Sequence, residues 1–143
     1  MKLSAEHLAA YEQARYVIDY GAGITVRVGP NVLPPAFASL LGDRYGVLLT
    51  AWNPHSVDQP LNVNRALNTE LGNRMRAEGR AFVTAFGADD AATWREDGFF
   101  VYPLTLKQAA QACVVLRQNA VVAVNANGEA TLVFHPDLDL ARS

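Results

Sequence analysis

The alternation of apolar and polar positions predicts five to seven β-strands, two pairs of which form hairpins. β-Branched and aromatic side chains fill residues 16–20 and 24–28, and the glycine-rich residues 21–23 between them indicate a three-residue hairpin loop. Two further apolar runs near the end of the chain flank Asn127-Gly128, a strong hairpin signal. Both pairs favour antiparallel neighbours in a sheet.

Longer apolar runs predict the middle of this sheet. Residues 45–52 are apolar on both faces, as in a strand covered from two sides, and the run ends at Asn53-Pro54. Residues 81–86 and 98–104 predict two more strands, joined by a loop over residues 87–97 that holds four acidic residues. The run at 45–52 is therefore the predicted central strand.

Four helices are predicted, two of them long and amphipathic. Ser4 is suited to cap a first helix of about ten residues, and residues 36–41, which follow two prolines, indicate a short connecting helix. The first main helix ends at Gly79, and the second begins at the capping-box pair Thr105 and Gln108. The inner stripes of the main helices are Val63, Leu67, Leu71 and Met75 in the first, and Leu106, Ala109, Ala110 and Cys113 in the second.

Together these elements predict one α+β domain over residues 1–143. Its sheet is mixed but mostly antiparallel, with five to seven strands and two hairpins, and two main and two minor helices pack against it. With 143 residues, 50% of them hydrophobic, the chain is long enough for one sizeable core and too short for two.

Charge and cysteine content narrow the classes of partner. Twelve basic and 14 acidic residues give a net charge of −2 without a basic cluster, so nucleic acid is not an expected partner. No apolar run resembles a signal peptide or approaches the roughly 18 residues that span a bilayer, so we expect no membrane association. Cys113 is the only cysteine, which excludes an intramolecular disulfide and indicates a core thiol in the reducing cytoplasm.

Motifs for a cofactor, a metal or a catalytic triad are not recognisable. The glycines of residues 21–23 precede a strand and lack the third glycine of a dinucleotide-binding turn. The histidines, Cys113 and the acidic loop lack the spacing of metal ligands. His55 and Ser56 are adjacent, so their side chains are expected to diverge, and no Gly-x-Ser-x-Gly turn is present. The sequence predicts no cofactor and no metal.

Polar residues beyond the central strand form the best candidate for a ligand-binding site. Ligands tend to bind past the carboxyl ends of strands, and a helix N-terminus with an arginine offers donors to an anionic or carbonyl group. The candidate residues are Asn53, His55, Ser56, Asn64 and Arg65, joined by Trp94, Glu96, Gln118 and Asn119.

Two interpretations of these residues stay open. In the functional one, Arg65 pairs with a carboxylate or phosphate, Asn53 orients the ligand and Trp94 stacks on it, while His55 or Glu96 is the candidate acid or base of an enzyme. In the structural one, the same polar side chains cap backbone groups or lie on a wet helix face, and Trp94 belongs to the core.

The same residues also follow a recognisable order. The first block is Thr50-Ala51-Trp52-Asn53-Pro54-His55-Ser56, then Pro60-Leu61 and Asn64-Arg65 with Asn68 and Leu71. The second is Trp94-Arg95-Glu96, Phe99-Phe100-Val101, Gln118-Asn119-Ala120-Val121-Val122 and a closing hairpin. Over residues 16–134 this order resembles a bacterial family of uncharacterised proteins that carries domain of unknown function 3293. The resemblance implies one compact domain and supplies no reaction.

Binding of a small polar or anionic ligand beyond the central strand is therefore the predicted function. The alternative is a regulatory or protein-interaction module that uses an exposed edge strand or apolar patch, with the polar motif only shaping a loop.

Overall fold

The computed structural model describes residues 2–91 and 93–140. The strands are β1 (Lys2–Leu3), β2 (Arg15–Ile18), β3 (Ile24–Val26), β4 (Gly29–Pro30), β5 (Tyr45–Thr50), β6 (Ala81–Ala88), β7 (Arg95–Leu104), β8 (Ala120–Val124), β9 (Glu129–Phe134) and β10 (Asp139–Leu140). The helices are α1 (Ala5–Gln13), α2 (Pro35–Leu41), α3 (Leu61–Ala77) and α4 (Leu106–Leu116), with a 3₁₀ turn at Pro54–Ser56. The predicted α+β class is confirmed, with two longer and two shorter helices.

Eight strands form one antiparallel sheet in the order β3-β2-β6-β7-β5-β8-β9-β4. A separate pair, β1 and β10, is parallel. The sheet exceeds the expected five to seven strands because β4 has only two residues, too few to produce a periodic pattern in the sequence. β5 lies between β7 and β8, which confirms the predicted central strand, although the strand ends at Thr50 and not at Trp52.

The sheet curls until its two edges approach each other. The edge strands β3 and β4 are separated in the chain only by Arg27 and Val28, a stretch that spans at most about 11 Å. Asn31 joins the edges through its side-chain amide, which donates to the carbonyl oxygens of Arg27 and Gly128, 2.9 and 3.0 Å away. The result is a partly closed, barrel-like sheet with a concave and a convex face.

A separate hydrophobic cluster covers each face of the sheet. On the concave face, Val26 from one edge and Ala130 from near the other belong to the same cluster, which Phe37 and Leu41 of α2 complete. On the convex face, α3 and α4 pack over the central strands, and Cys113 is buried there as predicted. Alternate residues of every central strand therefore belong to different clusters.

Local signals in the sequence locate the starts of α1 and α4 correctly. The Ser4 hydroxyl accepts a hydrogen bond from the His7 backbone and caps α1. Thr105 and Gln108 form the predicted capping box at the start of α4. Among the described residues, no helix is both long enough and apolar enough to cross a membrane.

Three local predictions need correction. The first hairpin pairs Ile18 with Ile24, so its loop is longer than the three residues expected. The Asn127-Gly128 hairpin pairs Val124 with Ala130, so its loop is also longer than two residues. The expected loop over residues 87–97 is shorter, because pairing with β6 extends β7 back to Arg95. Glu96 therefore lies in a strand, and the sheet determines the face to which its side chain points.

Candidate functional site

The loop after β5 has an unusual backbone conformation. Asn53, His55 and Ser56 have φ angles of 48°, 56° and 61°, in the left-handed region that non-glycine residues rarely adopt. The Ser56 amide donates to the Asn53 carbonyl at 2.8 Å, and the His55 amide donates to the carbonyl of Arg117 at 2.7 Å. Because strained backbone persists only where its surroundings fix it, these bonds help to hold the loop in one conformation.

Asn53 is fixed by a reciprocal pair of hydrogen bonds with Asn64 of α3. The Asn53 amide donates to Asn64 Oδ1, and Asn64 Nδ2 donates to Asn53 Oδ1, both at 2.9 Å. The Gln59 amide also donates to Asn53 Oδ1, at 3.0 Å. Asn64 is buried, so the pair satisfies polar groups that water does not reach easily. The Asn53 side-chain NH₂ group takes no part in this pair and can donate to another acceptor.

Asn53 directs this NH₂ group at Glu96. Asn53 Nδ2 donates to Glu96 Oε2 at 2.9 Å, while Oε1 accepts no hydrogen bond from the described residues. Burial raises the pKa of Glu96 from 4.5 to about 7; the Asn53 hydrogen bond opposes the shift and the charge of Asp58 adds to it. Both protonation states of Glu96 are therefore populated near neutral pH.

A small cavity lies beside Glu96 on the concave face of the sheet. Its volume is about 50 Å³, and its polar and aromatic lining includes Tyr11, Tyr16, Thr50, Trp94, Glu96 and Gln118. Gly87 makes room for two of these rings, since a Cβ at that position would lie 3.2 Å from Tyr16 and 3.4 Å from Trp94. Tyr11, Trp94 and Glu96 are only partly buried, so solvent reaches part of the lining.

A second polar cluster connects this cavity to the loop after β5. Asn119 Nδ2 donates to Ser56 Oγ at 2.8 Å, and the Tyr11 hydroxyl lies 3.3 Å from the same oxygen. The Tyr16 hydroxyl donates to the Tyr11 carbonyl at 2.8 Å. Burial, followed by the nearby Tyr11 and Glu96, raises the pKa of Tyr16, so this hydroxyl stays protonated at neutral pH.

Comparison with known proteins identifies the family. A model described as "Protein of unknown function (DUF3293)" matches residues 49–121, which is just over half of the chain. The chain belongs to this family. No curated protein and no solved structure matches it. The matched DUF3293 residues are a narrower range than the resemblance over residues 16–134 indicated.

The DUF3293 region contains only part of the cavity lining. Trp94, Glu96 and Gln118 lie within it, as do Asn53 and Asn64, which orient Glu96. Tyr11 and Tyr16 lie before the matched residues. The N-terminal helix and β2 therefore complete a cavity whose other polar groups come from the DUF3293 region.

The structure divides the nine residues proposed from sequence into four groups. Asn53, Asn64 and Glu96 form one hydrogen-bonded unit, and Ser56 and Asn119 form another. Trp94 and Gln118 line the cavity, although Gln118 also donates to the Trp52 carbonyl at 3.0 Å and so supports a turn. The exposed side chains of His55 and Arg65 make no hydrogen bond or ion pair within residues 2–91 and 93–140, and neither lines the cavity.

Sequence reasoning did not find Tyr11, Tyr16 or Thr50. Tyr11 lies on a helix without buried residues, and Tyr16 has the pattern of an ordinary strand residue. No local signal separates these residues from core or surface positions, because long-range packing alone brings them together. Within the described part of the chain, His, Cys, Asp and Glu side chains form no group of three that is suited to a metal ion.

Replacing Asn53 with alanine should destabilise the protein by about 2 kcal/mol. The change leaves buried Asn64 Nδ2 and the Gln59 amide short of an acceptor and places alanine in a left-handed conformation. Urea unfolding at pH 7 measures the difference. Asn62→Ala, on the exposed side of α3, is the control and should change stability by less than about 0.5 kcal/mol. Equal losses in both variants would show that the Asn53 network adds no stability.

Proposed function

We propose that the protein binds a small molecule in the cavity beside Glu96. The observation that carries this proposal is a half-buried carboxyl group at the cavity wall, with one oxygen fixed by Asn53 and the other without a partner among the described residues. Binding sites typically combine an apolar, aromatic wall with a few oriented polar groups, and this cavity has both features. A carboxyl with a perturbed pKa in such a place is itself a mark of functional sites.

The charge of the lining bears on the kind of ligand. Glu96 is the only charged side chain among the described residues that line the cavity, and Asp58 is near enough to affect it electrostatically. An anion would be repelled by an ionised Glu96. The proposal therefore replaces the anionic ligand expected from Arg65 with a neutral or cationic one that donates a hydrogen bond to Glu96.

If the site also carries chemistry, Glu96 is its candidate acid or base. Its pKa of about 7 suits proton transfer near neutral pH, and Asn53 holds it in one orientation. His55 is the weaker candidate because its exposed ring does not line the cavity. Binding is the proposal that the geometry carries, and catalysis would require in addition a ligand whose reacting proton lies within reach of Glu96.

Filling the cavity tests the proposal. Ala120 is a half-buried lining residue at the start of β8, and Ala120→Leu places three more carbon atoms there. A thermal-shift screen of amines, alcohols, amides and carboxylates should give ligands that stabilise the native state by about 2.7 kcal/mol at one hundred times the dissociation constant. Ala120→Leu should abolish that stabilisation, as should Ala85→Val, a second filling variant with a side chain suited to a strand.

The matched control is Ala81→Leu, at the exposed start of β6. It adds the same atoms to the same sheet but does not reach the cavity, so it should keep the wild-type ligand response. Ligands that stabilise the two filling variants as much as the wild type would place the binding site elsewhere. The groove between α3 and α4, lined in part by Leu71, Arg74 and the exposed Val115, is the surface on which the protein-interaction alternative would then rest.

We also propose that residues 1–143 act as one domain in the cytoplasm. The two hydrophobic clusters lie on opposite faces of the same sheet, which favours one folding unit. A single cysteine, buried as a free thiol, fits a reducing compartment.

A further inference from the structure

The Glu96 carboxyl group lacks a positively charged partner in the described part of the chain. Two arginines lie nearby in the sheet: the guanidinium carbons of Arg95, the neighbour of Glu96 in β7, and of Arg15 in β2 are 3.8 and 5.7 Å from the centre of the Phe86 ring. Phe86 precedes Gly87 in β6, so its side chain is on the opposite face of the sheet from the cavity. Both arginines are therefore directed away from Glu96, and their charge does not compensate it within the cavity.

Aromatic side chains line the same cavity as this carboxyl group. Tyr11, Tyr16 and Trp94 contribute to the cavity lining, and the missing side chain of Gly87 lets the Tyr16 and Trp94 rings approach the same point on the sheet. The Tyr16 hydroxyl is already bonded to the Tyr11 carbonyl, which leaves mainly its ring for contact with a ligand. Aromatic faces attract cations through their quadrupole, and the attraction grows when the cation is removed from water.

The size of the cavity limits what part of a ligand it can hold. A volume of about 50 Å³ accommodates about four water-sized groups. That is enough for an ammonium or methylated ammonium head group and too little for a whole sugar or nucleotide. The remainder of a larger ligand would extend past the partly exposed Trp94 and Tyr11.

We propose that the ligand is a small organic cation, a primary or methylated amine, whose charged head group pairs with Glu96 and contacts Tyr11, Tyr16 and Trp94. This inference rests on the proposed function and names its ligand class. The amine supplies the positive charge that the described residues of the protein do not. An ammonium that carries an N–H also donates a hydrogen bond to the carboxyl oxygen that Asn53 leaves free, whereas a quaternary ammonium is held by its charge and the aromatic side chains alone. The alkyl part of the ligand is held by the apolar lining.

Probes matched in shape test this assignment. Isopropylammonium and tetramethylammonium are compared with isopropanol and tert-butanol, and isobutyrate serves as the anion. Binding to the full chain is measured at pH 8 by calorimetry and by the NMR signal of the Trp94 indole N–H. Each cation should bind at least about tenfold more tightly than its matched alcohol, and isobutyrate should bind least.

Two variants separate charge from shape. Glu96→Gln keeps the oxygen that accepts from Asn53 but removes the charge, so cation affinity should fall at least about tenfold, and alcohol affinity should fall by less because an alcohol loses only a hydrogen bond. Trp94→Leu keeps an apolar wall and should weaken tetramethylammonium more than tert-butanol. Glu129→Gln, on an exposed part of β9, is the control and should bind every probe as the wild type does.

The outcomes distinguish a failure of the proposed ligand class from a failure of the proposed binding pocket. The cationic ligand is overturned if alcohols bind as tightly as the cations. The pocket is retained in that case if Ala120→Leu binds neither. Cation binding that survives in Glu96→Gln would also overturn the assignment. Both proposals fail if no probe binds the wild-type protein even at about 100 mM and a screen of larger compounds also finds no ligand.

Discussion

Glu96→Gln is expected to stabilise the protein in alkaline solution and to leave its stability almost unchanged in acid. The fold raises the pKa of Glu96 from 4.5 to about 7, so the native state favours the protonated carboxyl group. The stability gained from this preference is fully present below about pH 4.5 and is lost as the pH rises through about 7. Glutamine is neutral at every pH and resembles the protonated acid in shape. The free energy of unfolding should therefore rise by up to about 3 kcal/mol above pH 8.

Urea unfolding of both proteins between pH 4 and pH 9 measures this effect. The wild type should lose stability relative to Glu96→Gln across the range from about 4.5 to 7, and the difference should be constant above it. Asp97→Asn is the control, because Asp97 points to the other face of the sheet and pairs with Arg95 at 2.8 Å. A parallel pH dependence of the wild type and Glu96→Gln would show that Glu96 ionises as freely in the fold as in the unfolded chain.

The expected gain in stability of Glu96→Gln is also an argument that Glu96 has a function. A residue that destabilises the native state when it is charged is retained at many binding and catalytic sites, where activity depends on it. Glu96→Gln is also the variant expected to lose cation binding. Higher stability together with weaker cation binding in one variant would show that the same unpaired charge causes both effects.

Gly98→Ala is expected to destabilise the protein by more than about 3 kcal/mol. Gly98 lies in β7 between Thr50 of β5 and Ala85 of β6. A Cβ at this position would lie 2.0 Å from the carbonyl oxygen of Leu49. Because that oxygen belongs to the backbone of a central strand, no side-chain rotation relieves the contact, and β5 and β7 must separate locally.

The control for this substitution is Gly21→Ala in the first hairpin loop. No atom lies within 4 Å of a Cβ there, but the φ angle of 59° is unfavourable for alanine, so the expected loss is about 1 kcal/mol. Urea unfolding and the thermal midpoint of both variants give the comparison. A loss of 1 kcal/mol or less in Gly98→Ala would mean that the central strands accommodate a methyl group without separating.

Parts of the site were predictable because they follow from short stretches of sequence. The end of the apolar run at Asn53-Pro54 predicted a polar loop after a central strand, and Asn64 was placed near it at the start of the next helix. Their hydrogen bonds agree with that prediction. Arg65 is expected beside them because an arginine at a helix N-terminus offers donors to an anion. Consecutive helix positions face different directions, however, and the Arg65 side chain is exposed.

The sequence by itself determined the α+β class, the caps at Ser4 and Thr105, both hairpins and the buried central strand, because each depends on neighbouring residues or on a regular period. Only the tertiary structure decided that the sheet curls and that Tyr11 and Tyr16 lie beside Glu96. It also decided that Glu96 belongs to a strand, since pairing with β6 extends β7 beyond its own apolar run. These features depend on contacts between residues far apart in the chain, which no local pattern records.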